Sequence, residues 1–207
     1  DCAMAVHAAA VKNDRGELVN RNLMRPYRGD RDLSPAELVD KAGSFPFGAM
    51  LLRREVVEKL PDWYFRCPVG DRPLELLAAL KGYCHYADRF DSVYRFHGAG
   101  SWTEEMKSGD FKKKQDAYAI AMRELYRAFD RESGGRYHRA AVSAARRVYF
   151  LTRVNLRDYD EIFSPRYRRY YRELSLRDRG FIRAERTLPF LFAGLRRLRD
   201  RIFRQEG

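Results

Sequence analysis

Ser92-Val-Tyr-Arg-Phe-His97-Gly-Ala-Gly-Ser-Trp102, read with Gly70-Asp71-Arg72-Pro73 upstream of it, decides how this chain is organised. The first stretch runs as a strand into an imidazole and then into a glycine-rich loop carrying an indole. The second opens a helix with a carboxylate. A histidine at a strand end is placed to hold a metal or a phosphate, and Gly98 and Gly100 leave the loop after it free to move over a polar ligand. The combination predicts an enzyme site where a strand end and a helix N-terminus meet.

Working outward, residues 1–110 alternate short strands with turns and short helices. Residues 2–11 read as a buried strand and Asn13-Asp14-Arg15-Gly16 as a reversal, because Asn, Asp and Gly tolerate turn dihedrals. The polar segment 20–34 reads as a surface loop. Ser34-Pro35-Ala36-Glu37 carries the signature of a capped helix start. Residues 44–52 read as an apolar strand, 53–60 as a short helix stopped by Pro61, and 70–82 as a helix on the stripe Leu74, Leu77 and Ala78. Strands are expected at 83–87 and 92–96.

From residue 111 the apolar period becomes helical. Tyr118, Met122, Leu125 and Phe129 share one helix face, and Ala141, Ala144, Ala145, Val148 and Leu151 share a second. A Tyr- and Arg-rich third helix is expected over 159–174. A last one carries Leu188, Leu191, Phe192, Leu195, Leu198 and Ile202 on one face and Arg196, Arg197, Arg201 and Arg204 on the other.

Charge divides the chain at the same place. Residues 1–110 hold 16 Lys+Arg against 17 Asp+Glu, and residues 111–207 hold 25 against 12, so the net +12 comes wholly from the second part. Of those 25 cations 22 are arginines, which chelate phosphate oxygens better than lysine does. Lipid headgroups or nucleic-acid phosphates are therefore the candidate partners. The chain has 45% hydrophobic residues, which excludes a disordered composition. Cys2, Cys67 and Cys84 form no C-x-x-C pair, which argues against a disulfide framework or a cysteine zinc site and fits a cytoplasmic setting. No apolar run reaches the roughly 18 residues of a spanning helix.

Residues 1–106 resemble the second half of the catalytic domain of a bacterial family 2 glycosyltransferase. Four blocks occur in order: the strand with His7, the strand from Ser44-Phe45 to Arg53, Pro61-Asp62-Trp63 followed by Gly70-Asp71-Arg72-Pro73-Leu74, and Val93-Tyr94-Arg95-x-His97-x-x-Gly100-Ser101-Trp102. The resemblance implies an α/β fold, the acceptor-side half of a nucleotide-sugar (GT-A) domain over residues 1–110 with a mixed sheet and helices, followed by a basic helical region over 111–207. It implies transfer of a sugar from a nucleotide-sugar donor to an acceptor hydroxyl with inversion, in synthesis of surface polysaccharide or glycolipid.

In that family the carboxylate of the Gly-Asp pair, here Asp71, is the general base; the other reading of an Asp before Arg-Pro is a helix cap. His97 corresponds to a ligand of a divalent metal, Mg2+ or Mn2+, or else is a histidine packed at a strand end. Arg95, Gly98, Gly100, Ser101 and Trp102 correspond to the donor and lid loop, against an ordinary glycine turn with a half-buried Trp. Ser44, Gly70 and Trp63 fall on the acceptor side, although Trp63 reads more readily as core. His7 reads as structural, and His85 and His138 are given no role.

The family's donor half, with its Asp-x-Asp metal motif, is expected before residue 1, so the chain reads as a part that transfers nothing alone. Asp30-Arg31-Asp32 and Asp158-Tyr159-Asp160 follow no nucleotide-binding strand and read as chance. The partners implied are a nucleotide-sugar donor, a glycan or lipid-linked acceptor, and an anionic inner membrane face met through residues 188–204. The alternative is a non-enzymatic basic helical module in which Tyr167-Arg168-Arg169-Tyr170-Tyr171-Arg172 gives nucleic acid both stacking and phosphate contacts.

Overall fold

A computed structural model describes residues 1–13, 15–41, 45–95, 105–106, 109–188, 190 and 192. It is a mixed α/β protein whose chain divides into two compact units, Asp1–Thr152 and Arg153–Gly207. The change of charge near residue 110 thus falls inside the first unit, whose helices include both amphipathic segments that follow it.

The first unit is built on β1 (Cys2–Lys12), β2 (Leu18–Met24), β3 (Arg31–Leu33), β4 (Met50–Leu52) and β5 (Tyr83–Arg95). Alternation sets the faces of β1: Met4, Val6 and Ala8 are at most 2% exposed, whereas Ala5 and His7 between them are half-buried. β5 runs parallel to β1 along its whole length. β4 and β2 lie antiparallel on the opposite edge, β4 against its first half (Met4↔Leu52) and β2 against its second (Ala9↔Met24). β3 closes the other side against β5.

Parallel strands need a crossover, and here it carries α1 (Pro35–Lys41), the short α2 (Arg54–Val57) and α3 (Asp62–Phe65), and α4 (Asp71–Lys81). Ser34 and Glu37 make the expected capping box, Ser34 N–H donating to Glu37 Oε2 (2.9 Å) and Glu37 N–H to Ser34 Oγ (3.3 Å). α4 is buried from Pro73 to Ala79. It ends at Gly82, where a Cβ would stand 1.9 Å from the Asp1 carbonyl, so only glycine lets the strand pair close there.

α5 (Phe111–Glu132) and α6 (His138–Leu156) add Met122, Leu125, Tyr126, Phe129, Ala141 and Ala144 to the same core. Trp63, at 9% exposure, belongs to that core.

Three local expectations are corrected. The segment 20–34 is not a loop: it contains most of β2 and all of β3, because the run Asn20-Arg21-Asn22 carries no apolar alternation to mark an edge strand and β3 is only three residues long. The apolar run at 45–52 makes a 3-10 turn (Phe47–Ala49) before a strand of only three residues, because Pro46 and Gly48 interrupt the extended backbone. Residues 83–95 form one strand, not two.

The polar Asp88-Arg-Phe-Asp91 that suggested a break is a bulge, with pairing jumping from His7↔Ala87 to Ala8↔Phe90. The bulge turns Asp88 toward the chain after β2. Arg25 grips it bidentately at 2.6 and 2.5 Å and Gly29 N–H donates to it at 2.7 Å, holding its carboxyl down to about 2. A depressed carboxylate stabilises the fold above its ordinary value and loses that contribution as pH falls through the folded one. Urea midpoints of the native protein should therefore drop between about pH 4 and pH 2 more steeply than those of Asp88→Asn. Parallel curves would show that this bridge contributes nothing.

The second unit contains α7 (Tyr159–Ile162), a 3-10 turn (Pro165–Tyr167), α8 (Arg168–Glu173) and α9 (Leu176–Thr187), so the single helix expected at 159–174 is broken at Ser164-Pro165. Ser175 caps α9 by accepting from Asp178 N–H at 3.0 Å, a start the sequence reading missed. Of the helix expected at 188–202, all but three positions lie outside the described residues.

Candidate active-site cleft

Asp71 is the first residue of α4, with Gly70 as the cap residue. Its Oδ1 accepts from Arg72 N–H at 2.7 Å, so the carboxylate serves the helix start without being the N-cap. Among the described residues Oδ2 takes no hydrogen bond. Asp71 lines a cleft of about 520 Å3 formed by α1, α4, α5 and α6 with the ends of β2 and β5.

Arginines organise the floor of this cleft. Arg72 Nε donates to Tyr126 Oη (2.7 Å) and Nη1 to the Leu38 carbonyl (2.8 Å), with further bonds to Glu75 and the Val39 carbonyl. Arg147 on α6 donates to the Asp40 carbonyl and to Asp40 Oδ1 (3.0 Å). Leu38, Val39 and Asp40 supply carbonyls from the last turn of α1, which a helix leaves without intrahelical partners. Two guanidiniums at that negative end satisfy them and complement the helix dipole.

The charges are shifted accordingly. Burial pushes Glu75 up to about 7, against the downward pull of Arg72. Burial by itself would lower Arg72, but Tyr126 and Glu75 more than offset it and hold the guanidinium above its usual value. Burial also raises the phenols of Tyr118 and Tyr126, so both stay protonated at neutral pH.

Of the candidate site residues that lie among the described residues, Asp71 alone lines the cleft. Gly70 is the exposed residue before it, and Trp63 lies in the core, as its second reading had it. Arg95 is exposed at the end of β5, while its neighbour Tyr94 lines the cleft. Ser44, His97, Gly98, Gly100, Ser101 and Trp102 lie outside the described residues. Among the described residues no group of three His, Cys, Asp or Glu side chains converges as a metal site.

His85 Nδ1 lies 2.7 Å from Asp32 and His138 Nδ1 2.7 Å from Asp130, so these histidines have partners at the surface. Sequence reasoning missed Arg72, Arg147 and Tyr126. The signal for Arg147 was present: it falls inside the apolar face Ala144, Val148, Leu151 at helical spacing, where a cation needs a reason.

A groove of about 740 Å3 beside α2 and the α5–α6 turn is larger, but its rim of Glu55, Glu58, Lys59, Lys81 and Arg136 mixes charges without setting any one group apart. No family model, curated protein or solved structure matches the chain.

Proposed function

We propose that residues 1–110 are the acceptor-side half of a GT-A sugar transferase domain, part of an inverting family 2 type glycosyltransferase, with Asp71 as the general base. The observation that supports it is the free Oδ2 of Asp71 in a cleft whose other charges are paired. An acceptor hydroxyl gives its proton to that oxygen as its own oxygen bonds to the anomeric carbon. The bond from that carbon to the nucleoside diphosphate breaks on the opposite side, so configuration inverts. A divalent ion would stabilise the departing diphosphate. Its expected ligand from this chain is His97, and the Asp-x-Asp carboxylates are expected from the donor half.

The test is sugar transfer by the complete protein from a panel of nucleotide sugars. Transfer with inverted configuration, lost in Asp71→Asn, supports the reading, and transfer that survives the substitution sinks it.

The second unit supports a peripheral place on the cytoplasmic membrane face. Phe181 on α9 and Leu188, the residue just past its end, are 51% and 52% exposed, with Phe190 at 91% beyond them. Arg177, Arg183 and Arg186 are exposed on the same helix, and each cation near an anionic surface contributes about 1 kcal/mol. Tyr167, Tyr170 and Tyr171 are at most 7% exposed and present no stacking faces to nucleic acid. No helix among the described residues is long and apolar enough to cross a membrane.

In vesicle sedimentation, phosphatidylserine-containing vesicles should retain the protein at least about tenfold better than phosphatidylcholine alone, three cations being involved. Phe181→Ser/Leu188→Ser should weaken that binding. Equal retention on both vesicles, with salt-sensitive binding to oligonucleotides, would favour the nucleic-acid module instead.

A further inference from the structure

We infer that the acceptor taken by this cleft carries an apolar group, an alkyl or aryl aglycone, directly beside the hydroxyl that reacts; this rests on Asp71 being the base. The polar groups of the cleft are largely committed to one another. Four donor contacts of Arg72 go to Tyr126, Leu38, Val39 and Glu75, and Arg147 bonds Asp40 through both its carbonyl and its carboxylate. They hold α1, α4, α5 and α6 together and leave little with which to read a ring of sugar hydroxyls.

The remaining lining is apolar apart from the phenol hydroxyls of Tyr94 and Tyr118. Met122, Ala144, Val148 and Leu151 form the wall given by α5 and α6, and Phe47 and Met24 face the cleft from the sheet side. Leu151 is 42% and Phe47 60% exposed, so this surface is open to a ligand as well as apolar. A free oligosaccharide laid there would find few protein partners for its hydroxyls and would gain little over the water they already bind. A molecule with one reactive hydroxyl at Asp71 and a hydrocarbon flank against Val148 and Leu151 matches the division.

The measurement is calorimetric binding of methyl, phenyl and n-octyl β-glucosides and β-galactosides to the chain, below the micelle concentration. The phenyl or octyl member should bind at least about tenfold tighter than the methyl one, the effect of burying roughly two methylenes. Leu151→Asp should reduce that preference without changing the thermal melt, whereas Val148→Asn, at a side chain packed partly against the core, should reduce it and lower the melt as well. Phenyl above octyl would identify an aromatic aglycone, and octyl above phenyl an aliphatic chain. Equal affinity across the series, including no binding by any member, overturns the inference. So does a preference that Leu151→Asp leaves intact, since the glycoside would then be held elsewhere. Survival of transfer in Asp71→Asn would instead remove the base while leaving the binding preference standing.

Discussion

Asp71→Asn is expected to slow transfer by the complete protein about 10²–10⁴-fold, the range a positioned general base contributes. Asparagine has nearly the same shape, and its Oδ1 can still accept from Arg72 N–H, so the start of α4 should be retained. What it cannot do is take a proton on the second atom, which becomes an amide that donates. The expected loss is therefore in kcat, with donor KM and the thermal melt unchanged. Asp71→Glu restores a carboxylate one methylene further out and should recover only part of the rate, because placement and basicity are both needed. A kcat within a few-fold of the native value would mean that Asp71 only starts a helix.

Arg72→Met is expected to cost about 3–5 kcal/mol of stability, the range for removing one partner of a buried ion pair. The guanidinium is surrounded by Glu75, Tyr126 and two α1 carbonyls, and Glu75 is 3% exposed. Without Arg72 nothing opposes the burial that already raises the Glu75 carboxyl to about 7. A carboxyl raised on folding favours the folded state below its ordinary value and weakens it as pH rises through the folded one. Arg72→Met should therefore lose further stability between about pH 5 and pH 8, because the folded state must keep Glu75 neutral while the unfolded chain ionises it. Arg72→Met/Glu75→Leu should recover most of the loss, since an apolar pair in such a site is often neutral or better. Urea unfolding across that pH range reads both effects, and a single variant as stable as the native protein at pH 8 would show that the network is ornamental.

How much was legible varied with how local the cause is. The start of α1 and the span of α4 could be read because their determinants, Ser34 with Glu37 and Gly70 with Gly82, lie within the segments themselves. β2 and the continuity of β5 could not, because each depends on a partner: β2 gains its ladder only from β1, and the bulge at Asp88 is held by Arg25, 63 positions away. The same contrast runs through the cleft. Asp71 announces itself by its neighbours in sequence, whereas Arg72 and Arg147 acquire their role only when the end of α1 is folded between them. Helix period located the faces of α5 and α6 but could not say that Tyr126 would be hydrogen-bonded to α4.

The arginine cap on the last turn of α1 also bears on how this protein could be altered. Guanidinium stays ionised over any pH at which the chain folds, and its planar fork reaches several carbonyls at once, so lysine is no substitute there. Val148 and Leu151, by contrast, touch none of those bonds. Side chains at the exposed end of that helix face can thus be exchanged while the frame that carries Asp71 stays as it is.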